Sequence, residues 1–238
     1  MLASAFGCLV SGHMSEPQPA VAHPAATVVL VRDGAAGFEV LLVRRSAQLS
    51  FHGGAWVFPG GRLDAADYAL GGNDTIAAAR CAAVREAREE AGLVLSPDAL
   101  VLVSRWITPL PLPKRFDTWF FAGLGDDAPV EIDGAEIHDH RWMAPRDALA
   151  AQHAGAIELP PPTFVTITGL AAHRCAADAL AALARGPMET FEPKLCPVEG
   201  GAVTLYAGDA GYVDGELERP GPRHRLWIRE DGWRYERA

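Results

Sequence analysis

The sequence predicts an α/β protein of the α+β type, in which helices pack on a mixed sheet. Strand-like and helix-like segments are mixed along the chain rather than strictly alternating. The chain has 238 residues, of which 49% are hydrophobic and 21% are charged, which is the composition of an ordinary globular protein. This length allows one large domain, or a domain with an extension.

The first predicted elements are strands separated by turns. Residues 1–24 are small, proline-containing and aperiodic, which predicts a flexible N-terminal arm. Apolar runs bounded by glycine then predict strands over 27–32, 38–44 and 56–58, with a turn over 33–37.

A helix is predicted next, because the stretch from Thr75 to Ala91 is rich in alanine and contains no glycine or proline. Gly92 is expected to end this helix, since glycine adopts the left-handed conformation found after many helices. The strands predicted after it lie over 100–107, 117–124 and 137–143.

The rest of the chain predicts a helical and short-strand extension. A short helix is expected over 145–151, because proline is favoured at the first helical position. Residues 163–184 predict one longer helix, and short strand-like runs return from about Val203. We therefore expect a main domain over 25–160 and an extension over 161–238 that packs on it.

Composition excludes several classes of protein. The net charge of −9 argues against nucleic acid as a partner, and no apolar stretch is long enough for a membrane span. The start of the chain lacks the basic region of a secretion signal, and both Met1 and Met14 remain candidates for the natural start. The cysteines form no CxxC motif and no Cys/His cluster, which predicts reduced thiols in a cytoplasmic protein. They are Cys8, Cys81, Cys175 and Cys196.

Three glutamates in the predicted helix carry the strongest functional signal. Glu86, Glu89 and Glu90 share one helix face, where their charges repel each other. Mg²⁺ and Mn²⁺ favour carboxylate oxygens and would neutralise the cluster. Upstream, the turn over 58–61 contains two glycines, which let backbone groups approach a metal or a phosphate closely. The alternative interpretation is a solvated acidic helix face.

These features resemble the Nudix hydrolase family. In the signature of that family, the Nudix box, a glycine is followed after five residues by an acid, and after seven more by Arg-Glu, an apolar residue, any residue, Glu-Glu, any residue and Gly. Here Gly61 is followed by Asp67 in place of the usual glutamate, and Ala87 takes the apolar position. The remaining matching residues are Arg85, Glu86, Glu89, Glu90 and Gly92.

The match departs from the family pattern at one place. Seventeen residues separate Asp67 from Arg85, where the family has seven. This indicates a ten-residue insertion around 68–74, which we expect to form a surface loop because it contains glycine and asparagine.

A second resemblance concerns the substrate. Residues 41–61 look like the motif that precedes the box in coenzyme A diphosphatases, with Val43 replacing a threonine and Ser50 replacing an arginine. The peroxisomal-type acyl-CoA diphosphatase branch also carries a box insertion and a C-terminal extension, and its extension contains a pattern similar to residues 205–209 with 224–225. The resemblance implies a Nudix α/β/α sandwich with a mixed sheet.

The resemblance also implies roles in binding metal. Glu86, Glu89, Glu90 and the carbonyl group of Gly60 would bind Mg²⁺ or Mn²⁺, and one glutamate would orient or deprotonate the attacking water. Arg85 would hold the glutamates by ion pairs. Asp67 would support the same loop or be a plain turn residue. Candidates for an auxiliary acid are Glu136 first and then Glu131 and Asp133, although for each of them a solvated surface carboxylate is the favoured interpretation.

Further residues could contact the substrate. Arg44, Arg45, Ser46 and Gly61 are placed to reach the diphosphate, and Arg45 is the first candidate for the 3′-phosphate of coenzyme A. His52 is interpreted as structural, because no Ser-His-Asp pattern accompanies it. Two later candidates would hold a phosphate and stack on adenine, or would be a surface cation and a core aromatic. They are Arg115 and Phe116.

Three functional hypotheses follow from these residues. The first is a metal-dependent diphosphatase acting on coenzyme A or acyl-CoA. The second is the same chemistry on ADP-ribose, NADH or a dinucleoside polyphosphate. The third is a non-catalytic nucleotide-binding module. In each case the protein binds a small nucleotide. The sequence does not decide whether the protein forms a homodimer.

Overall fold

A computed structural model of the chain describes residues 20–35, 37–49, 52–110 and 112–238. Most of the predicted arm, Met1, Met14, Cys8 and Ser50 therefore lie outside the described residues. The strands are β1 (Ala22–Gly34), β2 (Gly37–Arg45), β3 (Trp56–Val57), β4 (Gly60–Arg62), β5 (Val101–Ile107), β6 (Arg115–Leu124), β7 (Ile137–Met143), β8 (Glu189–Phe191), β9 (Lys194–Val198), β10 (Gly201–Leu205), β11 (His224–Arg229) and β12 (Gly232–Arg237). The helices are α1 (Ala65–Leu70), α2 (Thr75–Ala91), α3 (Pro145–His153), α4 (Pro161–Leu170) and α5 (Ala176–Arg185).

The main sheet is mixed, as predicted. Its strand order is β3-β2-β1-β6-β5-β8, with β4 also pairing with β1 and β7 also pairing with β2. β1 is parallel to β6 and antiparallel to β2. The short segment from β3 to β4 pairs first with β2 and then with β1. The glycine turn is therefore held between two strands of the main sheet.

Helices cover both faces of this sheet. The alanine face of α2 packs on one side against Val28, Leu30 and Phe121. On the other side, α3, α4 and α5 pack against a second cluster that includes Trp106 and Phe120. This is the layered arrangement that the family resemblance implies.

The prediction of α2 is confirmed at both ends. The helix spans Thr75–Ala91, and Gly92 follows it with a φ of +70°. Asp74 begins the helix by accepting a hydrogen bond from the backbone N–H group of Ala77 at 2.7 Å. Alanine propensity and the two caps are local signals, which explains why the sequence alone was sufficient here.

The predicted surface loop at 68–74 is wrong in part, because its first residues belong to α1. The Asp64 carboxylate accepts from the N–H group of Asp67, and the Asp67 carboxylate accepts from the N–H group of Asp64, both at 2.9 Å. This reciprocal capping box nucleates the helix before Gly71 ends it. The two aspartates at a spacing of three residues were the signal that could have predicted it.

The single long helix predicted over 163–184 is also wrong. The structure has two helices, α4 and α5, with a break from Ala171 to Cys175. The Asp33 carboxylate accepts from the N–H group of Ala176 at 2.9 Å and so satisfies the start of α5. Because Asp33 lies far away in the sequence, this start could not be predicted from local propensity.

Two more boundaries differ from the expected ones. β1 begins at Ala22, inside the predicted arm, because residues 22–31 pair with β6 along its whole length. In the extension, β8 joins the main sheet by parallel pairing with β5. The extension therefore contributes a strand to the main sheet as well as packing on it.

The rest of the extension forms an antiparallel sheet in the order β12-β11-β10-β9. A buried ion pair lies at the end of this sheet where β10 ends and β11 begins, and in it Asp209 binds the Nε and Nη2 atoms of Arg225, each at 2.7 Å. Tyr206 and His224 pack beside it, with ring centroids 5.1 Å apart. The pattern over 205–209 and 224–225 is thus a structural core.

Two expectations from composition can be compared with the structure. Cys81, Cys175 and Cys196 are free thiols, as predicted. In the described part of the chain, no helix is long and apolar enough to cross a membrane.

Candidate active site

The glycine turn and the acidic end of α2 are in direct contact. The N–H group of Gly60 donates a hydrogen bond to Oε2 of Glu90 at 2.9 Å. A Cβ atom on Gly61 would overlap the Glu86 carboxylate, and one on Gly60 would overlap the carbonyl oxygen of Ala26. Gly60 therefore requires glycine, because the backbone of β1 approaches it too closely for a side chain, whereas a side chain at Gly61 would have to displace the Glu86 carboxylate.

Arg85 connects the carboxylates on this side of α2. Its Nη1 atom lies 2.8 Å from both Glu86 Oε1 and Glu89 Oε2, and its Nη2 atom lies 3.0 Å from Asp67 Oδ2. Burial alone would lower the pKa of Arg85, but the bonds to Asp67 and Glu86 raise it overall. Arg85 thus stays charged and holds three carboxylates, one of them on α1.

Glu90 has no such cation partner among its hydrogen bonds. Its side chain is 5% exposed, and this burial raises the pKa of Glu90 to about 8 in spite of the Gly60 N–H group. Burial also raises the pKa of Glu86, although Arg85 opposes the shift. The cluster therefore contains more carboxyl groups than the cation bonded to them can neutralise, since Arg85 binds Asp67, Glu86 and Glu89 but not Glu90.

The described residues contain no group of three His, Cys, Asp or Glu side chains already arranged around a metal position. The reason is visible in the hydrogen bonds, since Arg85 binds Glu86 and Glu89 while Gly60 binds Glu90. The donor set nevertheless fits a divalent cation. Carboxylate oxygens are the ligands that Mg²⁺ and Mn²⁺ prefer, and a cation would relieve the unfavourable charge on the buried Glu90.

The structure separates the candidates for an auxiliary acid. The charge of Glu136 raises the pKa of both Glu86 and Glu90, so Glu136 faces the cluster. Asp133 instead accepts hydrogen bonds from three backbone N–H groups within its own turn, and Glu131 packs against Gly92 at the end of α2. Asp67 is the capping residue that binds Arg85, as described above.

The two arginines at the end of β2 lie in different places, Arg45 near the glutamates and Arg44 in a cleft beside Trp56. The charge of Arg45 lowers the pKa of Glu90, and its Nε atom is buried with no acceptor among the described residues. Arg44 instead lines a cleft with Trp56. Ser46 is buried, and its hydroxyl group accepts from the N–H group of Gln48, so it shapes the loop after β2.

His52 lies beside this arginine. Burial and the charge of Arg45 lower the pKa of His52 to about 4, so the ring is neutral at pH 7. A residue with so low a pKa is a poor proton acceptor at neutral pH. This agrees with the interpretation of His52 as structural.

Arg115 and Phe116 lie at the start of β6, away from the glutamates. Arg115 pairs with Ala22 of β1, whereas Gly60 pairs with Thr27, roughly 16 Å further along the strand. The Arg115 guanidinium donates to the carbonyl groups of Thr108 and Ala20, each at 2.9 Å. These bonds engage Arg115 with the backbone just after β5 and just before β1.

Two arginines near these features were not predicted from the sequence. Arg62 follows Gly61, and its carbonyl group accepts a hydrogen bond from Arg85 at 2.9 Å. Arg141 lies on β7, next to β2, with its guanidinium over the ring of Trp56. The position of Arg62 beside the box glycine was a signal that could have identified it. Arg141 had no local signal, because only the pairing of β7 with β2 brings it to this place.

Comparison with known proteins supports the family resemblance. The model of the NUDIX domain matches residues 21–161. A relative described as putative nudix hydrolase 7 of Caenorhabditis elegans is 28% identical to this chain. The match covers 56% of this chain and only 55% of that relative's length. The acyl-coenzyme A diphosphatase NUDT19 of Homo sapiens is 27% identical, with 76% of this chain and 74% of that protein covered.

Solved structures show the same fold. A NUDIX hydrolase from Alicyclobacillus acidocaldarius is 28% identical and superposes with a TM-score of 0.63, covering 71% of this chain and 99% of that one. The NUDIX domain of Shewanella oneidensis NrtR, solved with ADP ribose, superposes with a TM-score of 0.50 and is 18% identical. The superposition covers 66% of this chain and 90% of that domain, and it shows the fold alone. The chain belongs to the Nudix hydrolase family.

Proposed function

We propose that this Nudix protein is a metal-dependent diphosphatase that hydrolyses coenzyme A or acyl-CoA between its two linked phosphates. The observation that carries the proposal is the group formed by Glu86, Glu89 and Glu90 against the Gly60–Gly61 turn. Family members generally use divalent metal ions such as Mg²⁺ or Mn²⁺. Such an ion would supply charge stabilisation at the phosphate oxygens.

The residues of the chain have separate tasks in this proposal. Glu86, Glu89 and Glu90 hold the cation, together with the carbonyl group of Gly60, and one glutamate accepts the proton of the attacking water. Arg85 is a positioning residue, because its guanidinium holds Glu86 and Glu89 at 2.8 Å. Arg45 stabilises negative charge on the diphosphate, since its buried Nε atom lacks an acceptor among the described residues.

The choice of coenzyme A rests on two observations. Residues 41–61 resemble the motif that precedes the box in coenzyme A diphosphatases, and NUDT19, an acyl-coenzyme A diphosphatase, is similar to most of this chain. ADP-ribose, NADH and dinucleoside polyphosphates are the alternative substrates. A non-catalytic nucleotide-binding role is the remaining alternative, and the complete set of three glutamates argues against it. The cytoplasmic location and a homodimer stay predictions.

A panel of substrates tests the proposal. Purified protein would be assayed with Mn²⁺ or Mg²⁺ on coenzyme A, an acyl-CoA, ADP-ribose, NADH and diadenosine polyphosphates. We expect coenzyme A or its thioester to have the highest kcat/KM, with phosphopantetheine and adenosine 3′,5′-bisphosphate as products and no turnover in excess EDTA. A higher kcat/KM for ADP-ribose would overturn the substrate assignment, and full activity in EDTA would overturn the metal requirement.

A further inference from the structure

A group of buried aromatic and polar side chains lies between the main sheet and the antiparallel sheet of the extension, outside the candidate active site. His224 of β11 and Tyr235 of β12 share one face of the smaller sheet, and Tyr206, directly after β10, packs against both rings. Phe191 of β8 closes the group from the main sheet, with its ring centroid 5.2 Å from that of Tyr206 and 5.5 Å from that of His224. We call these four residues the inter-sheet cluster.

The hydrogen bond of His224 shows which of its ring nitrogens carries a proton. Nδ1 of His224 lies 2.8 Å from the carbonyl oxygen of Ala207. Because a carbonyl group only accepts, Nδ1 carries the hydrogen, and Nε2 of the neutral ring is left as an acceptor. This Nε2 atom is buried, and no group among the described residues donates to it. Burying such an atom without a donor is unfavourable.

Tyr206 has the complementary need, because its hydroxyl group lacks an acceptor. The residue is 0% exposed, and its hydroxyl oxygen is buried with no hydrogen-bond partner in the part of the chain that the structure describes. Burial raises the pKa of Tyr206 well above its ordinary value of 10, and the neighbouring Tyr235 raises it further. The hydroxyl group therefore keeps its proton and acts as a donor.

The outer end of the inter-sheet cluster is occupied by an ion pair. The guanidinium of Arg237 binds the Glu189 carboxylate through two hydrogen bonds, at 2.7 and 3.2 Å. Burial raises the pKa of Tyr235, and the charge of Arg237 opposes this shift, so the Tyr235 hydroxyl group faces the ion pair. Tyr206 and His224 lie deeper and have no charged group of this kind at their buried polar atoms.

A buried donor beside a buried acceptor restricts the ligand that could satisfy both. The ring centroids of Tyr206 and His224 are 5.1 Å apart, and no direct hydrogen bond joins the two side chains. An anion would meet the lone pair of Nε2, and the described residues around His224 form no metal-binding group. A water molecule can accept from the hydroxyl group and donate to the imidazole, and buried waters commonly bond to polar groups that lack protein partners.

We propose that an ordered water molecule is bound between Tyr206 and His224, where it accepts a hydrogen bond from the Tyr206 hydroxyl group and donates one to Nε2 of His224. The polar residues of the C-terminal pattern then have two structural tasks, since Asp209 and Arg225 pair with each other while the other two hold the water. Tyr206 also contacts Trp106 of β5, with ring centroids 5.7 Å apart. The water site therefore lies where the extension meets the main sheet.

The sign of the stability change in Tyr206→Phe tests the water site. If the hydroxyl group binds a bridging water, its removal should raise the unfolding equilibrium constant about fivefold. If the hydroxyl group has no partner in the fold, its removal should leave the constant unchanged or lower it, and either result would overturn the proposal. Tyr212→Phe is the matched control and should have little effect, because the Tyr212 hydroxyl group donates directly to the carbonyl group of Glu192 at the surface.

A second variant tests whether the two side chains share one ligand. His224→Asn removes Nε2 but retains an amide N–H group that can donate to Ala207. In this background, Tyr206→Phe should raise the unfolding constant clearly less than it does in the wild-type protein, because the water has already lost its acceptor. Equal effects of Tyr206→Phe in the two backgrounds would overturn the proposal.

A high-resolution crystal structure of the wild-type protein shows directly what satisfies the two atoms. We expect a water within about 3.2 Å of both the Tyr206 hydroxyl oxygen and Nε2 of His224. A direct hydrogen bond between the two side chains, or no water at this position, would overturn the proposal. No residue of the glutamate cluster takes part, so these measurements remain decisive even if the protein hydrolyses no diphosphate.

Discussion

Two assemblies of arginine and carboxylate groups among the described residues differ in their charge balance. In the extension, Arg225 and Asp209 form a pair with side chains that are 2% and 0% exposed. Asp209 also accepts from the N–H groups of Gly211 and His224. At the end of α2, one arginine instead serves Asp67, Glu86 and Glu89, and the buried Glu90 is bound by a backbone N–H group.

The pKa values express this difference. Burial would raise the pKa of Asp209, but the bonds from Arg225 and the backbone lower it to about 2. Burial raises the pKa of Glu90 to about 8, because its single N–H donor is insufficient. A carboxylate that is fully paired inside the fold stabilises it, whereas a surplus of buried carboxylates is suited to binding a cation.

The largest expected effect is on the paired assembly. Asp209→Ala should lower the free energy of unfolding by about 3–5 kcal/mol, because it leaves the buried Arg225 without its partner. Denaturant unfolding measures this loss, with kcat of the folded protein expected to stay unchanged. Asp214→Ala is the matched control, since Asp214 pairs with Arg219 at the surface and should change stability little. An equal loss in both variants would mean that burial of the pair does not matter.

The next effect concerns the glutamates at the end of α2, and it appears in activity rather than in stability. Glu89→Gln and Glu90→Gln should each lower kcat by about two orders of magnitude or more, because each removes charge stabilisation from the transition state. The free energy of unfolding should change far less than in Asp209→Ala, since repulsion within the cluster is relieved. Near-wild-type turnover in either variant would contradict the assignment of the metal site.

A smaller effect is expected in the pH dependence of stability without metal. The pKa of Glu90 is raised in the folded protein from an ordinary 4.5 to about 8. Its contribution to stability is therefore present below about pH 4.5 and is lost as the pH rises through about 8. Unfolding in EDTA at several pH values should show this loss in the wild-type protein and a weaker one in Glu90→Gln. Parallel pH profiles for the two proteins would show that the pKa of Glu90 is not raised in the folded protein.

The two assemblies also differ in how far the sequence predicts them. The glutamate face follows from helix periodicity and from the Nudix box, and the structure confirms the bounds of α2. The contacts that Arg85 and Trp56 make with residues distant in the sequence could not be predicted from local patterns. Asp67 reaches Arg85 only because α1 forms, and Arg141 reaches Trp56 only because β7 pairs with β2. Likewise, the break between α4 and α5 depends on Asp33, which no local pattern connects to it.

The central claim is that Glu86, Glu89 and Glu90 at the end of α2 bind a divalent cation. Calorimetric titration of the protein with Mn²⁺ tests this claim most directly. We expect binding by the wild-type protein and by Asp214→Ala. Glu89→Gln and Glu90→Gln should each weaken it at least about tenfold, since each removes a charged ligand. Binding of equal strength in the wild-type protein and in both glutamine variants, or no binding by the wild-type protein, would contradict the account.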